Sequence, residues 1–308
     1  MNTAIEYKGF RLPDFIIPGA AKSGTTSLYR LLSQHPDIYF PKDRKEPFYF
    51  CFEDKPPTYE DRQFNELMVW EQESYLNLYK EAKSTQICGD ASTSYLYLHQ
   101  PSIRHMKKLY GDKLNEVKIV IILRNPVDRA YSHYTYLVRN GFETRAFEEA
   151  IQPAQIANWK RKRWGFDYLE YGNYSNQVQA YFNQFPQCKV LLMEDLRETQ
   201  ECINGVFEFL EVDPVSVSSD VKANPSGIPK NRKMVDLLRK NKVLKKAVNL
   251  LPSGAKRKAL SMRDKTMEKF MEKPELNAAT RKELSEYFTD DINKLSGLID
   301  RDLTGWLN

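Results

Sequence analysis

Residues 117–123 read Val-Lys-Ile-Val-Ile-Ile-Leu, and every position except Lys118 is β-branched or leucine. A strand with one wet face alternates apolar with polar residues. This run does not, so both of its faces need cover, as in a parallel sheet held between helices. The rest of the chain supplies matching parts. Residues 11–17 read as a short strand closed by Pro18-Gly19, and 23–34 as a helix with Leu28, Leu31 and Leu32 on one face, stopped at His35-Pro36. A second strand fits 37–40. Residues 53–85 are charged and aromatic, helical with a loop at Pro56-Pro57, and 87–91 form a strand entering the polar turn Ser92-Thr93-Ser94. A helix over 128–140, a buried strand over 189–193 and a helix over 204–210 complete the pattern. Strand and helix in alternation predict an α/β fold with a central parallel sheet flanked by helices. At 308 residues the chain can build one large core. We expect a single domain over 1–308, with a lysine-rich helical segment at 234–308 packed on it and broken at Pro252-Ser253-Gly254 and near Pro274.

The first strand and helix are joined by Pro18-Gly19-Ala20-Ala21-Lys22-Ser23-Gly24-Thr25-Thr26. A turn of small residues leaves backbone N–H groups free, and the helix N-terminus adds partial positive charge, so the two together cradle a phosphate. Thr25, Thr26 and Ser27 add hydroxyl donors and Lys22 adds a full charge. A nucleoside triphosphatase loop has the order G-x-x-x-x-G-K-[ST]. Gly19 and Gly24 keep that spacing, but Thr25 stands where the lysine belongs, and the lysine comes earlier, at Lys22. The 117–123 strand also lacks the terminal acid that would hold Mg²⁺; it ends in Arg124-Asn125-Pro126. A cationic strand end suits a second phosphate, with Ser132 eight residues on in the next helix. These features describe a metal-free site for a bisphosphorylated nucleotide. An ATP phosphotransferase is the rival, opposed by the displaced lysine and the missing acid.

These residues resemble the sulfotransferases that use 3′-phosphoadenosine 5′-phosphosulfate (PAPS), over roughly residues 12 to 235. The resemblance implies their P-loop-like fold. It implies that Lys22, Ser23, Gly24, Thr25, Thr26 and Ser27 bind the 5′-phosphosulfate. Arg124, Pro126, Arg129 and Ser132 match the motif R-x-P-x-x-R-x-x-S, whose first Arg and Ser bind the 3′-phosphate. In 42–50, Lys-Asp-Arg-Lys-Glu-Pro-Phe-Tyr-Phe is similar to the branch that includes heparan-sulfate sulfotransferases and bacterial relatives. There an acid before an aromatic pair deprotonates the acceptor, which implies Glu46 as base and Lys22 as its catalytic partner. The family's small-molecule branch uses a histidine base, for which no histidine here has a comparable context. Carbohydrate-specific members often carry a lysine in an E-K-[ST]-P-x-Y turn. Here 89–95 places Ala91 at that position, so Lys22 and Lys45 carry more of the developing charge or another group substitutes. A PAPS-binding protein without turnover is the second rival. The family's late basic loop is matched by 224–232, with Lys230 and Arg232 as phosphate contacts. The run Lys160-Arg161-Lys162-Arg163-Trp164 is a solvated helix face or an acceptor-side lid, and Tyr168, Tyr171 and the Gly172-Asn173-Tyr174 turn could line the acceptor cleft.

The charge balance, 46 basic against 41 acidic residues, is too even for a protein that wraps nucleic acid. Cys51, Cys88, Cys188 and Cys202 form no C-x-x-C pair and are too sparse for a disulfide framework. The four histidines show no ligand spacing, so no metal site is expected. No apolar run approaches the ~20 residues of a membrane span. The start has no apolar signal region after basic residues, which leads us to expect a cytoplasmic protein, or one already trimmed. The acceptor is a carbohydrate or a small natural product; neither it nor the oligomeric state can be read from the sequence.

Overall fold

The computed structural model describes residues 4–42, 44–160, 165–218, 227–229, 271–272 and 274–307. Five strands, β1 (Phe15–Ile16), β2 (Ile38–Tyr39), β3 (Ile87–Asp90), β4 (Lys118–Leu123) and β5 (Cys188–Leu192), form one sheet in the order β2-β3-β1-β4-β5. Every neighbouring pair is parallel. The sheet is the one expected from 117–123, and β4 is buried along its whole length. Its side chains divide between two cores. Ile119, Ile121 and Leu123 join Met106, Leu137, Tyr181 and Phe288 on one face, while Val120 and Ile122 join Leu28, Leu31, Ile203 and Phe207 on the other. Each of these β4 side chains contributes about 1.5–3 kcal/mol of burial. Lys118, the exception in the run, reaches Glu211 at the sheet edge, Nζ to Oε1 at 2.8 Å.

The helices that cover the sheet are α1 (Thr25–Leu32), α2 (His99–Tyr110), α3 (Pro126–Arg139), α4 (Tyr174–Phe182), α5 (Thr199–Leu210) and α6 (Ala278–Ile299). Local chemistry moves several boundaries from their sequence positions. The strand expected over 11–17 splits: Phe10–Arg11 pairs antiparallel with Glu6–Tyr7, and only Phe15–Ile16 enters the sheet. Gly24 holds a left-handed conformation (φ 93°) that delays α1 to Thr25. Asn125 caps α3, accepting from the Val127 and Asp128 N–H groups at 3.0 and 3.2 Å, so the helix starts at Pro126 and not at 128. Residues 53–85 hold two five-residue helices, Arg62–Glu66 and Gln72–Leu76. Gly89 is required by packing: a Cβ there would lie 2.4 Å from Phe15 and 2.5 Å from Phe40.

The strand order fixes where a ligand can sit. The chain leaves β1 toward β2 and β3 on one side, and leaves β4 toward β5 on the other. The crevice beyond the carboxyl ends of β1 and β4 is therefore the topological switch point of the sheet. Both sequence motifs, the loop at 18–26 and Arg124, lie at this point.

Candidate active site

The loop after β1 is fastened to its neighbours by the backbone. Ala20 N–H donates to the Ile122 carbonyl at 2.7 Å, Ile122 N–H to Gly19 at 3.0 Å, and Leu96 N–H to Pro18 at 2.7 Å. A Cβ on Gly19 would come within 2.7 Å of Leu96 Cβ, so this approach needs glycine. The first helical bond of α1 runs from Leu28 N–H to the Gly24 carbonyl at 3.0 Å, which leaves the Thr25, Thr26 and Ser27 N–H groups unused by the helix. Ser23 differs from its neighbours: its N–H donates to Ala20 at 3.2 Å, and its buried hydroxyl lies beside that of Tyr174. Tyr174 O–H in turn donates to the Arg124 carbonyl at 3.1 Å, tying α4 to the end of β4.

Four cations gather around this loop. Arg124 Nη1 donates to the Lys22 carbonyl at 3.4 Å. Lys22 Nζ lies over the Tyr136 ring, 4.5 Å from its centre, with the Arg139 guanidinium 5.5 Å from the same ring. Burial, and then the Arg139, Arg124 and Arg129 guanidiniums, push the Lys22 ammonium down to about 8, opposed by Glu46. Ser132 lies one turn after Asp128 and one turn before Tyr136, so α3 aligns these three along one face. Arg129, the motif's second arginine, is wholly buried and touches His133 Nδ1 at 3.2 Å, the Tyr168 carbonyl and the face of Tyr171. It supports the site from below.

Lys45 and Glu46 stand over the first turn of α1. Lys45 Nζ lies 3.4 Å from both Thr25 Oγ1 and Thr26 Oγ1, and donates to Glu46 Oε1 at 3.0 Å. Thr93 O–H donates to the other Glu46 oxygen at 3.1 Å. Glu46 is thus fixed on both oxygens, yet its side chain stays 27% exposed. The second carboxylate nearby, Asp90 at the end of β3, is wholly buried. It accepts from Tyr75 O–H and Tyr95 O–H at 2.9 Å, Ser92 N–H at 3.0 Å and Ser92 O–H at 2.7 Å. Burial pushes the Asp90 carboxyl up to about 6 against these four donors. The Ser92 hydroxyl also accepts from Phe48 N–H at 3.1 Å, so Asp90 braces the segment that carries Glu46.

On the acceptor side the tyrosines differ from their expected use. Tyr168 is buried and donates to Glu143, and Tyr174 is buried against Arg124, so neither lines a cleft. Tyr97, stacked on Tyr171 at 3.8 Å, is the half-exposed ring there, and its O–H donates to Asp167 at 3.2 Å. Ala91 is buried beneath the 89–95 turn. Lys230, Arg232 and the basic run at 161–163 lie outside the described residues, as does the side chain of Lys160. A cavity of about 640 Å³ opens beside the loop, lined by Gly24 and Ser27, Arg124 and Asn125, and Leu196 and Trp306 among others. Residues 300–307 were not read as part of a site in the sequence; a lone Trp near a chain end carries no local signal. Among the described residues no cluster of His, Cys, Asp and Glu is arranged to hold a metal, and no helix is long and apolar enough to cross a membrane.

A family model for the sulfotransferase domain matches residues 12–297. A crystal structure of a sulfotransferase from Alicyclobacillus acidocaldarius is similar at a TM-score of 0.72 and 28% identity, covering 96% of this chain and 99% of that one. The heparan sulfate glucosamine 3-O-sulfotransferase 3B1 of Mus musculus is 24% identical over 187 residues, 61% of this chain and 42% of its own. The bifunctional heparan sulfate N-deacetylase/N-sulfotransferase 3 of Mus musculus is 25% identical over 215 residues, 66% of this chain and 23% of its own. This chain spans less than half the length of these curated relatives. With the family model running across the sheet, the loop and α3, the chain belongs to the sulfotransferase domain family.

Proposed function

We propose that this sulfotransferase moves a sulfuryl group from PAPS to a hydroxyl, or an amine, of a carbohydrate or small natural-product acceptor, with Glu46 as base. The observation that carries the reading is the crowd of cations at the loop. Besides burial, Arg139, Arg124 and Arg129 all act on Lys22 and lower its pKa, with Glu46 opposing them. Such a cluster fits a ligand with several anionic groups. The donor groups fit it in kind: three N–H groups and three hydroxyls at the α1 terminus for one phosphate, Arg124 and Ser132 for another.

When bound, PAPS supplies an activated sulfuryl group whose displacement leaves adenosine 3′,5′-bisphosphate (PAP). The first turn of α1 holds the 5′-phosphate, and Arg124 with Ser132 holds the 3′-phosphate. Lys22, whose ammonium lies over the Tyr136 ring, would offset the charge that grows on the leaving group as the sulfuryl bond breaks. Glu46, oriented by Lys45 and Thr93, takes the acceptor proton. Lys45 stands where it can supply the charge that Ala91 cannot, since its ammonium already reaches Thr25 and Thr26. Names of the curated relatives, which specify heparan sulfate, support a carbohydrate acceptor. Calorimetric titration with PAP, ADP and ATP, followed by transfer of labelled sulfate to an acceptor panel that includes heparan sulfate, tests the reading. PAP should bind at least tenfold tighter than ADP, and label should move. Tighter binding of Mg·ATP with no sulfate transfer would overturn it.

A further inference from the structure

We infer that the segment 300–307 belongs to the donor site, with Trp306 forming the wall against which the nucleotide base rests; this builds on the donor assignment above. The 640 Å³ cavity is lined by residues assigned above to both phosphates: Gly24 just before α1, Ser27 within it, and Arg124 just after β4. With the phosphates held there, the remaining walls meet the nucleoside. They include the apolar Leu31, Met193, Leu196 and Trp306, which suit a flat base, beside the polar Glu194, Arg197 and Thr199.

Trp306 is delivered to this wall by three cross-links. Arg301 pairs with Asp195, Nη2 to Oδ1 at 2.9 Å and Nη1 to Oδ2 at 3.3 Å. Trp306 Nε1–H donates to Glu194 Oε1 at 2.8 Å, which fixes the plane of the indole. Asn125 Nδ2–H donates to the Trp306 carbonyl at 3.0 Å. Asn125 is the residue after Arg124, and its Oδ1 caps α3, the helix that carries Ser132. The segment is therefore bonded to the element that holds the 3′-phosphate and also to the loop after β5. Trp306 is 5% exposed and packs into the core beside Tyr174, and these bonds hold the part of it that lines the cavity in register with the phosphate motif.

The test separates the base from the phosphates. Trp306→Leu keeps apolar bulk without a flat ring, and Trp306→Phe restores a ring. Each variant and the wild type are titrated with PAP and with ribose 3,5-bisphosphate, which lacks the base. We expect Trp306→Leu to weaken PAP tenfold or more and the ribose bisphosphate less than twofold, with Trp306→Phe recovering most of the loss. Equal weakening of both ligands, or none, overturns the inference. A second measurement needs no variant: in wild-type protein, amide exchange across 300–307 should slow with PAP and remain unchanged with the ribose bisphosphate. Unchanged exchange with saturating PAP also overturns it. Wild type that binds neither ligand would overturn the donor assignment itself.

Discussion

Replacing Glu46 with glutamine removes the proposed proton acceptor while leaving its surroundings nearly intact. The glutamine carbonyl can face Lys45 Nζ, now 3.0 Å from Oε1, and its amide can donate to Thr93 Oγ1, 3.1 Å from Oε2. The Lys45–Glu46 pair is partly exposed, at 19% and 27%, so its net contribution is screened to well under about 1 kcal/mol. Melting should move by less than about 3 °C. The chemical step should slow by about 10²–10⁴-fold, or roughly 3–5 kcal/mol of barrier. Single-turnover transfer from labelled PAPS reads the rate, and calorimetry with PAP reads nucleotide affinity, which should hold within about threefold. Asp90→Asn is the control. An amide at that position turns a donor toward one of four donors, which costs about 1–3 kcal/mol of stability and leaves the chemistry of folded molecules largely in place. Turnover near wild type in Glu46→Gln would refute the assignment, most sharply if folded Asp90→Asn were dead.

Arg124→Ala should weaken PAP by about 1.5–3 kcal/mol and leave adenosine 5′-phosphosulfate, which has no 3′-phosphate, nearly unchanged; competitive titration of the two checks this. Lys22 is charged below about 8 and loses its proton above it, so kcat/KM should fall as pH rises through about 8, and Lys22→Arg should remove that limb whatever its rate. Because Arg124 stands where a strand-end acid would hold Mg²⁺, a chelator should leave the transfer rate unchanged, and an absolute Mg²⁺ requirement would revive an ATP-using reaction.

The sheet was legible because a buried parallel strand advertises itself: with Lys118 the one polar side chain in 117–123, cover on both faces was demanded, and the two cores supply it. The loop was legible because Gly19, Gly24 and the threonines must be local neighbours to act. What the sequence hid depends on contacts across long separations. Nothing near Lys45 says that its ammonium will reach Thr25 and Thr26, twenty and nineteen residues away. Asp90 and Glu46 look alike as acids near a polar turn, and only burial separates a four-donor brace from a partly exposed carboxylate. Tyr168 and Tyr174 follow an attractive pattern, but rings with hydroxyls can as well complete a core when a carboxylate or carbonyl meets each O–H, as Glu143 and Arg124 do. The strand over 11–17 was too long because Pro13 cannot donate to a ladder.

The cation cluster implies a trade between stability and binding that one variant can expose. In Lys22→Met the left-handed backbone at residue 22 (φ 72°) is no worse served than in wild type, since both side chains are unbranched. The change forfeits the ammonium's contact with the Tyr136 ring, worth about 0.5–1 kcal/mol at a half-exposed site. It also relieves burial of a charge beside three guanidiniums, a gain of similar size once solvent screening is allowed for. The folded state has lowered the Lys22 pKa, so wild type gains stability as pH rises from about 8 toward 10.5, and Lys22→Met should lack this rise. At pH 7 the ligand-free stabilities should therefore agree within about 1 kcal/mol. The stabilisation brought by PAP should not: at a hundred times Kd it is about 2.7 kcal/mol for wild type, and the variant at the same PAP concentration should lose most of it. Chemical denaturation with and without PAP, at pH 7 and pH 9.5, measures all four quantities. A variant that loses stability without ligand yet keeps the full gain from PAP would show that Lys22 is a packing residue of the loop and not a phosphate ligand.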